Sequence, residues 1–149
     1  MDTIRLPPDF KEFLKLLNQY EVRYLLVGGY AVSYHGYPRT TADMDIWVGI
    51  DKDNAQNVLE VINAFGLEHP DLTHLVFMEP DRIFRMGYPP LRIEVLTGIS
   101  GVQFDECHAN RVQDQIDGVS IQIISLQDLK TNKRAASRHK DLDDLEHLP

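Results

Sequence analysis

Gly28-Gly29-Tyr30-Ala31-Val32-Ser33-Tyr34-His35-Gly36-Tyr37-Pro38-Arg39-Thr40-Thr41-Ala42-Asp43-Met44-Asp45 is the stretch on which the reading of this chain turns. Just upstream, Tyr24-Leu25-Leu26-Val27 is a short apolar run that stops at the two glycines, the pattern of a buried strand ending in a tight turn. Tyr30 to His35 then reads as a short helix closed by Gly36. Without side chains, Gly28 and Gly29 let backbone N–H groups approach an anion, and a helix N-terminus adds partial positive charge aimed at it. A phosphate fits such a turn. The same turn also arises for conformational reasons alone, and the dinucleotide-binding and Walker fingerprints are both absent.

The second half of the stretch is more specific. In Asp43-Met44-Asp45-Ile46-Trp47-Val48 acidic and apolar residues alternate over the first four positions, so a strand here carries Asp43 and Asp45 on one face and Met44, Ile46 and Val48 on the other. Two like charges about 4 Å apart repel by about 4 kcal/mol at an effective dielectric near 20, which raises a carboxylate pKa unless a cation neutralises the pair. A divalent ion is the economical counter-charge. Glu94, in the later strand-like run Leu91-Arg92-Ile93-Glu94-Val95-Leu96, can supply a third oxygen ligand. An all-carboxylate set suits Mg2+ or Mn2+ rather than zinc. The histidines show no His-x-x-x-His pair and no partner cysteine spacing, so no zinc site is assigned.

Around this centre the chain reads as helices and strands in mixture. Pro7-Pro8-Asp9 opens an amphipathic helix running to about Tyr20, and a second long helix covers Asp51 to about Phe65, ending before Gly66. His74 to Thr97 holds three short strand-like runs, Val112 to Ile124 a hairpin turning at Asp117-Gly118, and Ser125 caps a helix that pairs with helical material from Asp141 to Leu148. The expected fold is α/β (α+β), a mixed sheet flanked by helices, in one domain spanning 1–149. The 15 Lys and Arg against 23 Asp and Glu give −8, which argues against a surface that coats nucleic acid or anionic lipid, although a local basic patch is compatible with it. The lone Cys107 excludes an intrachain disulfide and fits a reducing compartment. With no charged leader before an apolar run and no membrane-length apolar stretch, a soluble cytoplasmic protein is expected.

Gly28-Gly29 followed by Asp43-x-Asp45, with an isolated acidic residue in a later strand, resembles the active-site signature of the DNA polymerase beta-like nucleotidyltransferases. The Gly-Gly-x-Ala-x-x-x-His-Gly-x-x-Arg-x-Thr-x-Asp-x-Asp pattern and the tail Lys133-Arg134-Ala135-Ala136…Arg138…Lys140-Asp141…Asp144-Leu145 are similar to small stand-alone members related to AbiEii-type toxins. The resemblance runs over roughly residues 22–148. It implies a nucleotidyltransferase-like sheet, a nucleoside triphosphate bound through Mg2+, and transfer of a nucleoside monophosphate to an acceptor hydroxyl with release of pyrophosphate. It also implies that Gly28 and Gly29 contact the triphosphate, that Asp43 and Asp45 hold metal, and that Glu94 takes the third carboxylate place and serves as base, where aspartate is the commoner residue. The acceptor, an RNA 3′ end, a protein or a small molecule, and a toxin–antitoxin role stay open. The rival from another class is a non-catalytic nucleotide- or protein-binding module of a toxin–antitoxin pair, against which the intact Asp43, Asp45 and Glu94 speak.

The remaining candidates each have two readings. Arg39 can pair with the carboxylates or with phosphate oxygens, because guanidinium matches either in bidentate fashion. Thr41 offers a hydroxyl to ligand or simply fills a strand, and His35 at a helix end suits a structural hydrogen bond. Lys130, Lys133, Arg134, Arg138, His139 and Lys140 form a cationic cluster followed at once by Asp141, Asp143, Asp144 and Glu146. This is either a solvated helical face with internal ion pairs or a phosphate-binding set led by Lys133 and Lys140.

Overall fold

The computed structural model describes residues 4–88 and 90–149. Pro8 stands in the first turn of α1 (Pro8–Gln19), where its missing N–H is no loss, and Phe10, Phe13, Leu14 and Leu17 form the buried stripe. β1 (Tyr24–Val27) is buried along its whole length and runs without a loop into α2 (Gly28–Tyr34). Helix α2 therefore starts at the glycines rather than at Tyr30. β2 (Asp43–Val48) follows, with Met44, Ile46 and Val48 buried and Asp43 and Asp45 half-buried, as its alternation predicts.

Asp51 accepts a hydrogen bond from the Asn54 N–H and so caps α3 (Lys52–Ile62), which widens over Asn63–Leu67 and stops where Gly66 turns to φ 97°. β3 (Ile83–Tyr88) and β4 (Leu91–Leu96) form a hairpin, α4 (Phe104–Ala109) crosses beside it, and β5 (Val112–Ile116) and β6 (Val119–Ile123) form the hairpin expected at Asp117-Gly118. Of the three strand-like runs expected between His74 and Thr97, two are strands; His74–Met78 is a short 3₁₀ helix that buries Phe77 against Phe84. The six strands lie in the order β3-β4-β2-β1-β6-β5. β2 is parallel to β4, and β1 is parallel to β6 and antiparallel to β2, so the sheet is mixed.

Ser125 accepts from the Asp128 N–H at 3.1 Å and caps α5 (Leu126–Ala136). Ser137, in the left-handed region at φ 48°, ends that helix and turns the chain into α6 (His139–His147). Among the described residues no helix is long and apolar enough to cross a membrane.

Candidate active site

The face of β2 that carries Asp43 and Asp45 is built by register. Asp45 is paired with Glu94 on the parallel strand β4, and Asp43 with Arg92. Residues in register on neighbouring strands project to the same side about 4.8 Å apart, so the three carboxylates share one face. Next along the rows, Arg85 of β3 lies opposite Glu94. Two residues further along β2, Trp47 is sealed on this same face by Phe104 of α4, ring edge to ring face at 5.2 Å.

Asp45 is held against the start of α2. Its carboxyl lies directly over Gly28, where any Cβ would overlap Asp45 Oδ2 and come within 3.0 Å of Cγ. Gly28 also has φ 66°, so the residue must be glycine on two independent grounds. Gly29 has an ordinary φ; a Cβ there would come within 2.7 Å of Thr41 Oγ1, so its small size makes room for the segment entering β2. Burial, then the neighbouring charges of Glu94 and Asp43, push the Asp45 carboxyl up to about 6, against the pull of Lys140 and Lys133. That pull places the carboxyl-terminal cations within electrostatic reach of the acidic face.

The internal ion pairs expected of the cationic cluster are present, but they are not all on a solvated face. Lys133 belongs neither to a solvated face nor to the open groove: it is buried, and its ammonium donates to Asp141 at 3.1 Å and lies 3.0 Å from Asp144 Oδ2. Arg39 does not bond Asp43 or Asp45. Its Nε and Nη2 grip the two oxygens of Asp144 at 2.9 and 3.0 Å, a fork that ties the segment before β2 to α6. Arg138 donates through its backbone N–H and Nε to Asp141 Oδ2 at 3.1 and 2.8 Å. Burial alone would raise the Asp141 pKa, but the bonds from Arg138 and Lys133 outweigh it and hold the carboxyl below its ordinary value. Lys140 remains exposed.

Thr41 precedes β2 and donates its hydroxyl to the Asp43 carbonyl at 3.1 Å. His35 has the structural bond expected of it, Nε2 to the Ile124 carbonyl at 2.7 Å, and burial lowers its pKa. Cys107 is buried, and burial, then the neighbouring Asp128, push its thiol up to about 12, so it is no nucleophile.

Two residues of this face were not singled out from the sequence. Arg92 donates from Nε to Asp43 at 3.3 Å with Nη2 3.5 Å from the other oxygen, and Arg85 Nε donates to Glu94 at 3.1 Å. The alternation Arg92-Ile93-Glu94-Val95 already places Arg92 on the side of Glu94; what sequence alone lacks is the β2–β4 register that sets it opposite Asp43. The donor set, hard carboxylate oxygens on adjacent strands of which Asp45 is held well above its ordinary proton affinity, fits a divalent cation. As the side chains stand, however, among the described residues no three His, Cys, Asp or Glu groups are gathered closely enough to hold one.

No protein-family model matches this chain, and no curated protein matches it. Among solved structures it is similar to a "putative nucleotidyltransferase" from Thermotoga maritima, with a TM-score of 0.63 at 14% identity over 92% of this chain and 88% of that one. The fold is therefore nucleotidyltransferase-like, a six-stranded mixed sheet flanked by helices.

Proposed function

We propose that the chain is a metal-dependent nucleotidyltransferase, moving a nucleoside monophosphate from a nucleoside triphosphate to an acceptor hydroxyl. The observation that carries this reading is the seat of Asp45: a carboxyl pressed onto Gly28 at the start of α2, in register with Glu94, and raised to about 6 by burial and by its two acidic neighbours. A fold keeps such a costly group where charge is to be neutralised by a ligand. Asp43, Asp45 and Glu94 would hold Mg2+ or Mn2+, which when bound neutralises phosphate charge and lowers the barrier to attack at phosphorus.

The chain's own residues account for the rest. Gly28 and Gly29 bring backbone N–H groups to the triphosphate, Thr41 lines its approach, and exposed Lys140 offers a cation to its oxygens. Arg39 and Lys133, whose charges are engaged by Asp144 and Asp141, act by holding α5 and α6 against the site. The acceptor oxygen forms a bond to the α-phosphorus as the bond to the bridging oxygen breaks and pyrophosphate leaves; Glu94 takes the acceptor's proton. An RNA 3′ end, a protein side chain or a small-molecule hydroxyl would each serve as acceptor, and either of the first two would be compatible with a toxin–antitoxin role.

Incubation with each α-labelled nucleoside triphosphate, Mg2+ and cellular RNA or protein tests the reading. Label is expected on one acceptor class with one equivalent of pyrophosphate released, and Asp45→Asn abolishes both. Failure of the folded wild-type protein to release pyrophosphate from any of the four nucleotides would overturn it.

A further inference from the structure

The three carboxylates share a face, yet two of them are held by arginines. Arg92 and Arg85 stand directly across the strands from Asp43 and Glu94, and each guanidinium occupies carboxylate oxygens that a cation would need. Neither pair is buried: the side chains of Arg92 and Arg85 are 38% and 57% exposed, against 28% for Asp43 and 13% for Glu94. Pairs of this kind contribute little to stability and exchange readily. Among the described residues Asp45 forms no ion pair of this kind, Arg138 acting on it only at a distance.

From this arrangement we infer that Arg92 and Arg85 are place-holders and anion receptors in one: each guanidinium neutralises a carboxylate until a divalent cation arrives with a triphosphate, and then transfers to phosphate oxygens. The inference rests on the proposed nucleotidyltransferase reading and concerns how that site is loaded. The exchange conserves charge pairing. One arginine–carboxylate pair and one metal–phosphate pair become a metal–carboxylate contact and an arginine–phosphate contact, and guanidinium matches either oxyanion with the same two-pronged geometry. A bare cation must displace the arginines without giving them a new partner, whereas a metal–triphosphate complex supplies one. The site thereby favours the complex over the free ion.

The arrangement predicts shifts of opposite sign in one variant. In Arg92→Gln, Mn2+ alone, followed by calorimetry and by loss of the free-ion electron paramagnetic resonance signal, binds at least about threefold tighter, since Asp43 is released from its partner. The preformed Mn2+–tripolyphosphate complex binds the same variant at least about threefold more weakly, since the lost charge-assisted contact to phosphate outweighs the exposed Arg92–Asp43 pair that no longer has to be broken. Arg85→Gln behaves alike. Arg82→Gln removes the same charge from an arginine that pairs with Glu79, and leaves both affinities as in the wild type. A purely structural role would weaken both ligands together. Equal affinities in wild type and in both folded variants, or losses of like sign for the two ligands, overturn the place-holder inference while leaving the nucleotidyltransferase reading intact. If the wild type binds neither Mn2+ nor its tripolyphosphate complex, both fall.

Discussion

Replacing Asp45 by asparagine is expected to make the protein more stable at neutral pH while removing its response to divalent metal. Burial, Glu94 and Asp43 raise this carboxyl from 3.8 to about 6. At about 1.4 kcal/mol for each tenfold change in proton affinity, ionised Asp45 costs the fold about 3 kcal/mol. The sign follows from proton binding: between the two values the folded chain holds a proton that the unfolded chain has released, so stability falls as pH rises. The protonated form is fully favourable below about pH 4, and the loss is complete once pH has passed through the folded value near 6. Asparagine keeps the shape and cannot ionise. Urea unfolding followed by the fluorescence of the single, buried Trp47 at pH 4, 6 and 8 with chelator present measures the difference. Wild type and Asp45→Asn should coincide at pH 4 and differ by about 3 kcal/mol at pH 8 in favour of the variant. Saturating Mn2+ at pH 8 should recover stability in the wild type and not in the variant. Parallel profiles across the whole range, or a wild type that gains on the variant as pH rises, would refute the reasoning, because either result means that Asp45 is not an enclosed, charge-crowded carboxyl.

Gly28→Ala is expected to lose about 2–5 kcal/mol, from a left-handed backbone and from overlap with the Asp45 carboxyl, and Asp45→Ala in the same chain should restore part of this; strictly additive losses in thermal and urea unfolding would count against the contact. Lys133→Met should cost about 3–5 kcal/mol by leaving Asp141 and Asp144 buried without their ammonium, whereas Lys140→Ala should change stability by less than about 0.5 kcal/mol and instead weaken binding of Mn2+–tripolyphosphate, which separate unfolding and titration experiments distinguish.

The elements that could be read from the sequence are those whose signal is local. The alternation across Asp43–Val48 and the apolar run at Tyr24–Val27 fixed both strands to the residue, because each pattern is a period-two or all-buried code that needs no partner to interpret. The cap at Ser125 and the turn at Asp117-Gly118 were legible for the same reason. What escaped depends on pairing across the chain. His74-Leu75-Val76-Phe77-Met78 is β-like in composition, but it forms a 3₁₀ turn in which only Phe77 is buried, packed on Phe84 of the edge strand β3. The helix from Phe104 to Ala109, beneath which Phe104 covers Trp47, is too short for its periodicity to show. At the site, the guanidinium of Arg39 suits any oxyanion, but the sequence points it to Asp43, Asp45 or phosphate, whereas tertiary structure sets it on Asp144.

The carboxyl-terminal charges show why composition misleads at this scale. A run of six cations followed by four carboxylates looks like a solvated helix surface, where each pair is worth a few tenths of a kcal/mol. Here the turn at Ser137 folds α6 back so that Asp141 and Asp144 are driven inward, and three cations, Arg39, Lys133 and Arg138, converge on the two buried carboxylates. Over these five groups three positive charges against two negative leave a surplus of one, with Lys133 buried and Arg39 held by a two-pronged bond, while the Arg138 side chain stays largely exposed. That surplus lies within reach of Asp45, whose proton affinity Lys133 and Lys140 lower. In a chain of net charge −8 these cations are thus gathered at one place, and Lys133 is fixed there by burial in its ion pairs. On the proposed reading, a phosphate-bearing ligand would draw on these local cations and not on the overall charge of the protein, which is negative.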